Sequence, residues 1–428
     1  MNIPQQSVWR GTEGKREYPA LNHSFEADVA IVGGGLTGIT TAYLLRQSGK
    51  KVVVIEADTI GSVATGLTTA FLIETIDTEP SQLISFFGEE KAKQIIASHR
   101  EAISWIEKTC ATLGTECHFV RCPMYKYATN EKEIEDIKKE VECGKKLGVK
   151  TDFHKQSEIS FMQHGYASIE NQGKFHPLTF LYALAEKASE AGVEIFEHTN
   201  INSVEEDGRI TLMHDHGEMR ADQVLIATHY PEIDDDQPLK LFFKKGKYVT
   251  YVFEVKRPRH SLPEALYEDI KNPYHYIRVD GMEDHDRLLI GGEDHRADIP
   301  MDQETNFAAL EAYVKGLFPD GNYEIVKKWK GPIIEPGDGI AYIGPLQSDG
   351  KVVYATGYSG NGMTHAVIAA HIFSGMVLGK QHEYQAIYSP HRELEPHILK
   401  AKDYLGELVH GAVKNIIRFR KKGDSSGG

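Results

Sequence analysis

Residues 27–56 carry the pattern that most narrows what this chain can fold into. Asp28–Val32 is a short apolar run and Gly33–Gly38 is a glycine-rich turn. Ile39–Gln47 has helical spacing and stops at Ser48-Gly49, and Val52–Glu56 is a β-branched run closed by an acid. Strand, turn, helix and strand in that order make one βαβ unit, the mark of a parallel sheet. Gly33 permits the tight turn after the strand, Gly35 lets backbone N–H groups approach a pyrophosphate, and Gly38 lets helix and strand pack closely. Leu36 and Thr37 lie in the turn that leads into the helix, whose N-terminus offers unpaired N–H groups and a positive dipole end to phosphates. Glu56 lies 18 residues after Gly38 and is followed by Ala57. Its carboxylate can accept hydrogen bonds from ribose hydroxyls and would repel a 2′-phosphate, so NADP is disfavoured. The glycine spacing alone would also fit a ligand-free turn. Its place between a strand and a helix, with an acid at the right distance, makes it a dinucleotide site.

The rest of the chain frames this unit. At the usual ~150 residues per domain the length suggests two or three domains. Helices are predicted at 81–113, 131–147 and 178–191, with strands near 117–128, 193–197, 209–213 and 224–227. Residues 247–334 are richer in short β runs and hold one helix near 303–317. A strand near 340–343, another at 352–355 and a helix from about Gly362 close the pattern. The chain therefore reads as α/β at both ends with a β-rich insertion.

Charge removes several functions. Lys+Arg total 48 against 62 Asp+Glu, a net charge of -14, so nucleic acid is not an expected partner. Cys110, Cys117, Cys122 and Cys143 have no C-x-x-C spacing, and no P-loop or H-E-x-x-H is present. His214-Asp215-His216 reads as a solvated turn, and no metal is expected. The N-terminus has no apolar core, so it is not read as a signal peptide, and a cytoplasmic protein is expected. The uncharged runs Val29–Leu45 and Val352–Gly379 read as buried strand, loop and helix rather than membrane spans.

Asp28–Glu56 as a whole resembles the extended ADP-binding fingerprint of flavoproteins, and its early position favours FAD over NAD. Ala64-Thr65-Gly66-Leu67-Thr68-Thr69-Ala70, Asp338–Pro345 and Ala355–Thr364 follow in the order of one group. That group is the D-amino-acid oxidase-like superfamily of FAD-dependent oxidoreductases, of the glycine and sarcosine oxidase type. The first segment resembles the loop under the flavin and so implicates Thr65, Gly66, Thr68 and Thr69. The second resembles D-G-x-P-x-I-G-P, with Ala341 where proline is usual. The third resembles the closing glycine loop and helix, implicating Gly357, Gly360, Asn361, Gly362, Met363 and Thr364. The same likeness adds Val204 and Thr228. His229, in Ala-Thr-His-Tyr-Pro, resembles the flavin module of Rieske-associated members. The chain departs from those in Leu67, where histidine is usual, and in having no Rieske ligand set.

The resemblance implies an α/β fold: a Rossmann-like FAD-binding domain (βαβ, parallel sheet) with an interleaved α+β antiparallel-sheet substrate domain. The FAD-binding parts are expected at 1–80, 155–235 and 335–428, and the substrate parts at 81–154 and 236–334. A helix from Gly362 would aim its positive end at the flavin N1–C2=O edge. The strand pair at Tyr274–Val279 and Leu288–Gly292 resembles the one that sets Tyr and Arg over the flavin. An Arg278 fork would bind a substrate carboxylate, unless it serves an edge-strand ion pair. His229, Tyr276, Arg278 and His365 are the catalytic candidates, with a structural role as the alternative for each histidine.

The implied reaction is oxidation of a small amine or amino acid to an imine by hydride transfer to flavin N5. The electron acceptor is oxygen, a quinone or a protein. The rival readings are an FAD dehydrogenase passing electrons to protein or quinone, and a non-catalytic flavin-binding subunit. The resemblance implies non-covalent FAD: members that attach it through cysteine do so in the C-terminal part and those that use histidine do so early, whereas here every cysteine lies in 110–143 and residues 57–75 contain no histidine. An apolar stripe with a basic end at 405–422 is expected to contact a membrane or partner weakly, making the protein peripheral, or else to pack on its own domain.

Overall fold

A computed structural model of the chain describes residues 3, 5–230, 245–347 and 349–392. In chain order the elements begin β1 (Phe25–Glu26), β2 (Val29–Val32), α1 (Leu36–Leu45), β3 (Val52–Ile55), α2 (Ala64–Leu67), β4 (Phe71–Leu72) and α3 (Pro80–Thr112). Next come β5 (Val120–Tyr127), α4 (Ile134–Lys146), β6 (Thr151–His154), β7 (Tyr166–Lys174), α5 (Pro177–Glu190) and β8 (Glu194–Phe196). Then follow β9 (Ile201–Asp207), β10 (Arg209–His214), β11 (Gly217–Ala221), β12 (Gln223–Ile226), β13 (Lys245–Pro258), β14 (Leu266–Asp269) and β15 (His275–Gly281). The last are β16 (His285–Arg296), α6 (Gln303–Leu317), β17 (Glu324–Pro336), β18 (Tyr342–Pro345), β19 (Val352–Thr356), α7 (Gly362–Val377) and α8 (Gln385–Tyr388).

Three sheets organise these elements. The first has six strands in the order β18-β19-β12-β2-β3-β8, parallel except for β18. Every residue of β2 and β3 is buried, which explains why both are unbroken apolar runs rather than alternating ones. Each such Val or Ile stabilises the fold by roughly 1.5–3 kcal/mol relative to exposure. Helix α1 packs between α5 and α7. Its buried faces include the small residues Gly38, Thr41 and Ala42 as well as Leu36, Ile39 and Leu45.

The second sheet, β1-β11-β10-β9, covers the opposite face through Ile210, Leu212 and Met219. The third is a nine-stranded sheet in the order β17-β13-β16-β15-β14-β5-β7-β4, with β6 beside β7. It is antiparallel except where β14 meets β5. On β15 the period of two sends Ile277 and Val279 into a core with Phe307 and Leu310 of α6. The same alternation sets Tyr276 and Arg278 on the other face.

This is an α/β fold with a parallel nucleotide-type sheet and an antiparallel companion. Two of the parts expected to bind FAD reach into the nine-stranded sheet: β4, within 1–80, pairs there with β7, within 155–235, and β5 takes the other edge of β7. The β7 sequence, Tyr-Ala-Ser-Ile-Glu-Asn-Gln-Gly-Lys, is too polar to announce a strand. The helix expected at 131–147 begins as a 3-10 turn at Glu131–Glu133, and α3 is broken at Gly88, where φ is 75°. Among the described residues no helix is long and apolar enough to cross a membrane. The basic segment 405–422 lies outside the described residues.

Candidate active site

A cavity of about 720 Å³ runs from the N-terminus of α1 to the face of the nine-stranded sheet. Its first end is built mostly from backbone. Gly33 has φ +114°, and a Cβ there would stand 2.6 Å from the Ala227 carbonyl oxygen. A Cβ on Gly38 would meet the Gly33 oxygen at 2.0 Å, so only glycine lets α1 start this close to β2. Gly35 caps α1 without a side-chain hydrogen bond. Leu36 N–H donates to Thr65 Oγ1 at 3.0 Å, and the Thr37 and Tyr358 hydroxyls are 3.1 Å apart.

Glu56 ends β3 and lines the cavity beside Ala57. Its carboxylate accepts from the Gly34 and Asp58 N–H groups at 2.7 and 2.9 Å, which fixes its direction. Thr199–Asn202 complete this end. Nothing in their short polar run announced them. Val204, expected here, is off the cavity: β9 has by then joined the second sheet, and Val204 packs on that core.

The middle of the cavity is lined by Thr65, Thr68 and Thr69 on one side and by Gly357, Gly360, Gly362 and Met363 on another. Gly357 has φ +76°. The N-terminus of α7 thus opens on the same cavity as that of α1, and no atom lies within 4 Å of a Cβ built on Gly362. Thr228 also lines the cavity, and its Oγ1 is buried with no hydrogen-bond partner among the described residues.

These features fit a dinucleotide flavin. Two helix N-termini face a ligand with a pyrophosphate and an electron-poor ring edge, and a fixed carboxylate stands at the ribose end. FAD would be held by Gly35, Thr37 and Glu56 at one end and by the 357–363 loop and Thr65–Thr69 at the other. Gly66, Asn361 and Thr364 stand behind this wall. A Cβ on Gly66 would meet the Gly61 oxygen at 2.4 Å. Asn361 Oδ1 accepts from the Asp77 N–H at 2.9 Å, and the Thr364 hydroxyl meets His99 Nδ1 at 2.7 Å.

The far end is made of side chains from several segments. Tyr274 and Tyr276 present rings 6.0 Å apart, with Thr250, Phe71, Asp77 and Glu268 around them. The Tyr276 hydroxyl lies 3.1 Å from Thr250 Oγ1, and burial pushes its ionisation well above the usual phenol range. Asp77 accepts from Gly360 N–H at 2.6 Å, tying this end to the α7 loop. Burial raises its carboxyl. Burial also pushes Glu268 up to about 7 against the pull of Lys126, and Asp77 adds to the rise. Asp77 and Glu268 carry no motif, and only the fold brings them together.

The catalytic candidates separate here. His229 and Tyr276 line the cavity. His229 holds a left-handed backbone, φ 63°, and its carbonyl accepts from Thr356 Oγ1 at 2.8 Å. Such a conformation costs a β-carbon-bearing residue about 1–3 kcal/mol and recurs at functional sites.

Arg278 is not positioned to hold a substrate carboxylate. It is 2 % exposed, and its Nε donates to Asp280 at 2.9 Å. Its Nη1 donates to the carbonyls of Thr69, Ala70 and Phe175 at 2.9, 3.2 and 3.0 Å. It is neither a surface ion pair nor a cavity group but a strut under the 68–70 turn. Although burial opposes it, Arg278, Lys174 and Arg287 hold the Asp280 carboxyl well below the usual range. His365 is also withdrawn. It is fully buried, 5.5 Å from the Tyr358 ring and 4.5 Å from His99, and burial pulls it down to about 3, so it is neutral.

None of the four cysteines lines the cavity, and all are free thiols. His214-Asp215-His216 spans the β10–β11 turn. Among the described residues no His, Cys, Asp and Glu group could hold a metal ion.

Residues 28–376 match a family model described as FAD dependent oxidoreductase. The chain is 27% identical over 413 residues to the "Putative Rieske 2Fe-2S iron-sulfur protein YhfW" of Bacillus subtilis (strain 168), covering 96% of this chain and 80% of that one. It is 23% identical over 387 residues to the gamma-glutamylputrescine oxidoreductase of Escherichia coli (strain K12), covering 87% and 89%. The glycine oxidase structure from Geobacillus kaustophilus superposes with a TM-score of 0.74 at 20% identity, over 87% of this chain and 100% of that one.

Proposed function

The chain belongs to the FAD-dependent oxidoreductase family, and on that premise we propose that it oxidises a small amine or amino acid to an imine. The observation that carries this reading is one continuous cavity joining two helix N-termini to a pocket of tyrosines and carboxylates. FAD, when bound, would supply the two-electron oxidant; on the substrate, the carbon beside nitrogen would lose a hydride, the nitrogen lone pair would close the C=N bond, and an N–H proton would leave to water.

The protein's share is placement. Gly33, Gly35 and Gly38 would admit the pyrophosphate to the α1 N-terminus, and Glu56 would hold the ribose. The α7 N-terminus would stabilise negative charge on the ring edge nearest it. Arg278 acts through the Thr69 and Ala70 carbonyls and is a positioning residue. Tyr274 and Tyr276 wall the substrate, and His229 stands at the rim of the same space. The FAD is held without a covalent bond in this reading, which the absence of cysteine from the cavity lining supports. The two ends of the chain and a middle stretch form the FAD-binding part. The nine-stranded sheet forms the substrate part.

The test begins with the visible spectrum of the purified protein. Amines and amino acids are then added without oxygen. Bleaching of the flavin band by one of them is the expected result. A protein that takes up no FAD, or whose flavin nothing reduces, contradicts the reading. Likeness to the Rieske-named Bacillus protein favours a second version, in which electrons pass to a protein acceptor. Release of peroxide when air returns would exclude that version.

A further inference from the structure

The substrate end of the cavity has a charge pattern that narrows what it can take. Among the described residues the cavity wall carries the carboxylates of Glu56, Asp77 and Glu268 and no lysine or arginine. Glu56 belongs to the nucleotide end. Asp77 and Glu268 face the space beside Tyr274 and Tyr276. Asp294 stands behind them, accepting from the Tyr274 hydroxyl at 3.3 Å, and its Oδ1 is buried with no partner among the described residues. The nearby cations are already engaged. Lys126 pairs with Glu79 and, at 3.1 Å, with Glu268. Lys247 sits 3.1 Å from the Tyr230 ring centroid, and Arg278 is spent on Asp280 and three carbonyls.

A carboxylate-bearing substrate would therefore meet carboxylates at close range with no arginine among the described residues to receive it, an arrangement that costs several kcal/mol across an interface. A cation meets the opposite. Two tyrosine faces and two carboxylates form the setting in which a desolvated ammonium is bound by cation–π and ionic contact together. Asp77, Glu79 and Glu268 share the single lysine Lys126, and burial holds the Asp77 and Glu268 carboxyls above their ordinary range, with Asp77 adding to the rise at Glu268. The nitrogen that reacts must be uncharged, because its lone pair closes the C=N bond. The charge that the carboxylates meet is thus a second one on the same molecule.

We infer that the substrate is a dicationic amine, a diamine or polyamine without a carboxylate, whose far ammonium is held by Asp77, Glu268 and the Tyr274–Tyr276 pair. This rests on the reading of the cavity as the site of amine oxidation and narrows it.

Three probes with the same four-carbon chain separate the possibilities: 1,4-diaminobutane, butylamine and 4-aminobutanoate. Binding to the FAD-loaded protein is read from perturbation of the flavin spectrum, and reaction from anaerobic reduction of the flavin. The diamine is expected to bind at least about tenfold more tightly than either other probe, the effect of one well-placed charge pair. It is also expected to reduce the flavin fastest. Glu268→Gln is expected to remove most of that preference while FAD content stays unchanged. Asp77→Asn is expected to act likewise, and the Glu268 variant carries the test if loss of the Gly360 contact unsettles the fold. Equal or tighter binding of 4-aminobutanoate, or a diamine preference untouched in both variants, overturns the inference. Flavin reduction by the carboxylated probe and not by the diamine overturns it too, while leaving amine oxidation standing. Saturable diamine binding without any flavin reduction keeps the recognition and overturns the oxidation.

Discussion

The two ends of the cavity are built by different means. At the nucleotide end, position is set by backbone: Gly33 and Gly38 let a strand and helix meet, and the α1 N–H groups and Glu56 face the space. All of it comes from one stretch of about 24 residues. At the sheet end, position is set by side chains from separate segments. Asp77 precedes α3, Thr250 is on β13, Glu268 on β14, Tyr276 on β15, and Tyr274 just before it. A site of the first kind tolerates little change in shape and much in charge. A site of the second kind is the reverse. That difference suits a fixed cofactor at one end and a family-variable substrate at the other.

The largest predicted effect concerns the strut between the two ends. Arg278→Leu leaves Asp280 and three carbonyls short of a buried donor, and is expected to lower unfolding free energy by about 3–5 kcal/mol. Lys174 and Arg287 still hold Asp280, which favours the lower part of that range. Denaturant unfolding of the FAD-loaded protein measures it. Unchanged stability with altered handling of carboxylated amines would return Arg278 to the substrate and erase the contrast.

Two alanine substitutions sharpen the backbone half. Gly38→Ala puts a methyl 2.0 Å from the Gly33 oxygen and is expected to cost about 1–3 kcal/mol, with loss of FAD. Gly362→Ala meets only open space, so the FAD-free stability should hold while FAD affinity falls. Calorimetry with and without FAD separates the two. Equal stability losses would mean that Gly362 serves packing alone.

The acid half predicts a pH dependence. Burial pushes Glu268 up to about 7, and likewise Glu335 on β17, whose charged neighbours are Asp77 and Asp294; it pushes Asp294 up to about 6. Each is harder to ionise folded than unfolded. The stability they permit is therefore full below about pH 4.5 and lost as pH rises toward 7. Glu335→Gln is expected to recover roughly 1–2 kcal/mol above pH 7 and none at pH 4. A flat difference across that window would show that burial does not hold Glu335 above its ordinary range. The smallest effect is Tyr358→Phe. Loss of its hydroxyl contact with Thr37 should cost about 0.5–1.5 kcal/mol, read by thermal unfolding.

What the sequence disclosed follows the same division. The βαβ unit was legible because a turn, a close approach and a dipole each demand particular residues at fixed spacing, as Gly33, Gly38 and Glu56 show. Long periodic helices such as α3 and α5 were legible for the same local reason. The strands β7 and β9 were not, since short polar runs form strands only when neighbours supply their pairing. Val204 was misplaced by two residues' advance into the second sheet. Arg278 stood out as a fork for a substrate carboxylate or an edge-strand ion pair, and it is neither, because the use of its guanidinium depends on Asp280 and on the 68–70 turn, which lies far away in sequence. Asp77 and Glu268 had no signal at all, because a carboxylate without a motif gains meaning only from what stands opposite it.

The most direct measurement is a crystal structure of the protein loaded with FAD. The account predicts the ribose at Glu56, the pyrophosphate at the α1 N-terminus, and the isoalloxazine between Thr65–Thr69 and the Gly357–Gly362 loop. It also predicts that the ring face is open toward Tyr274, Tyr276, Asp77 and Glu268. An isoalloxazine seated away from that tyrosine–carboxylate pocket, or FAD bound with Glu56 far from the ribose, would contradict it.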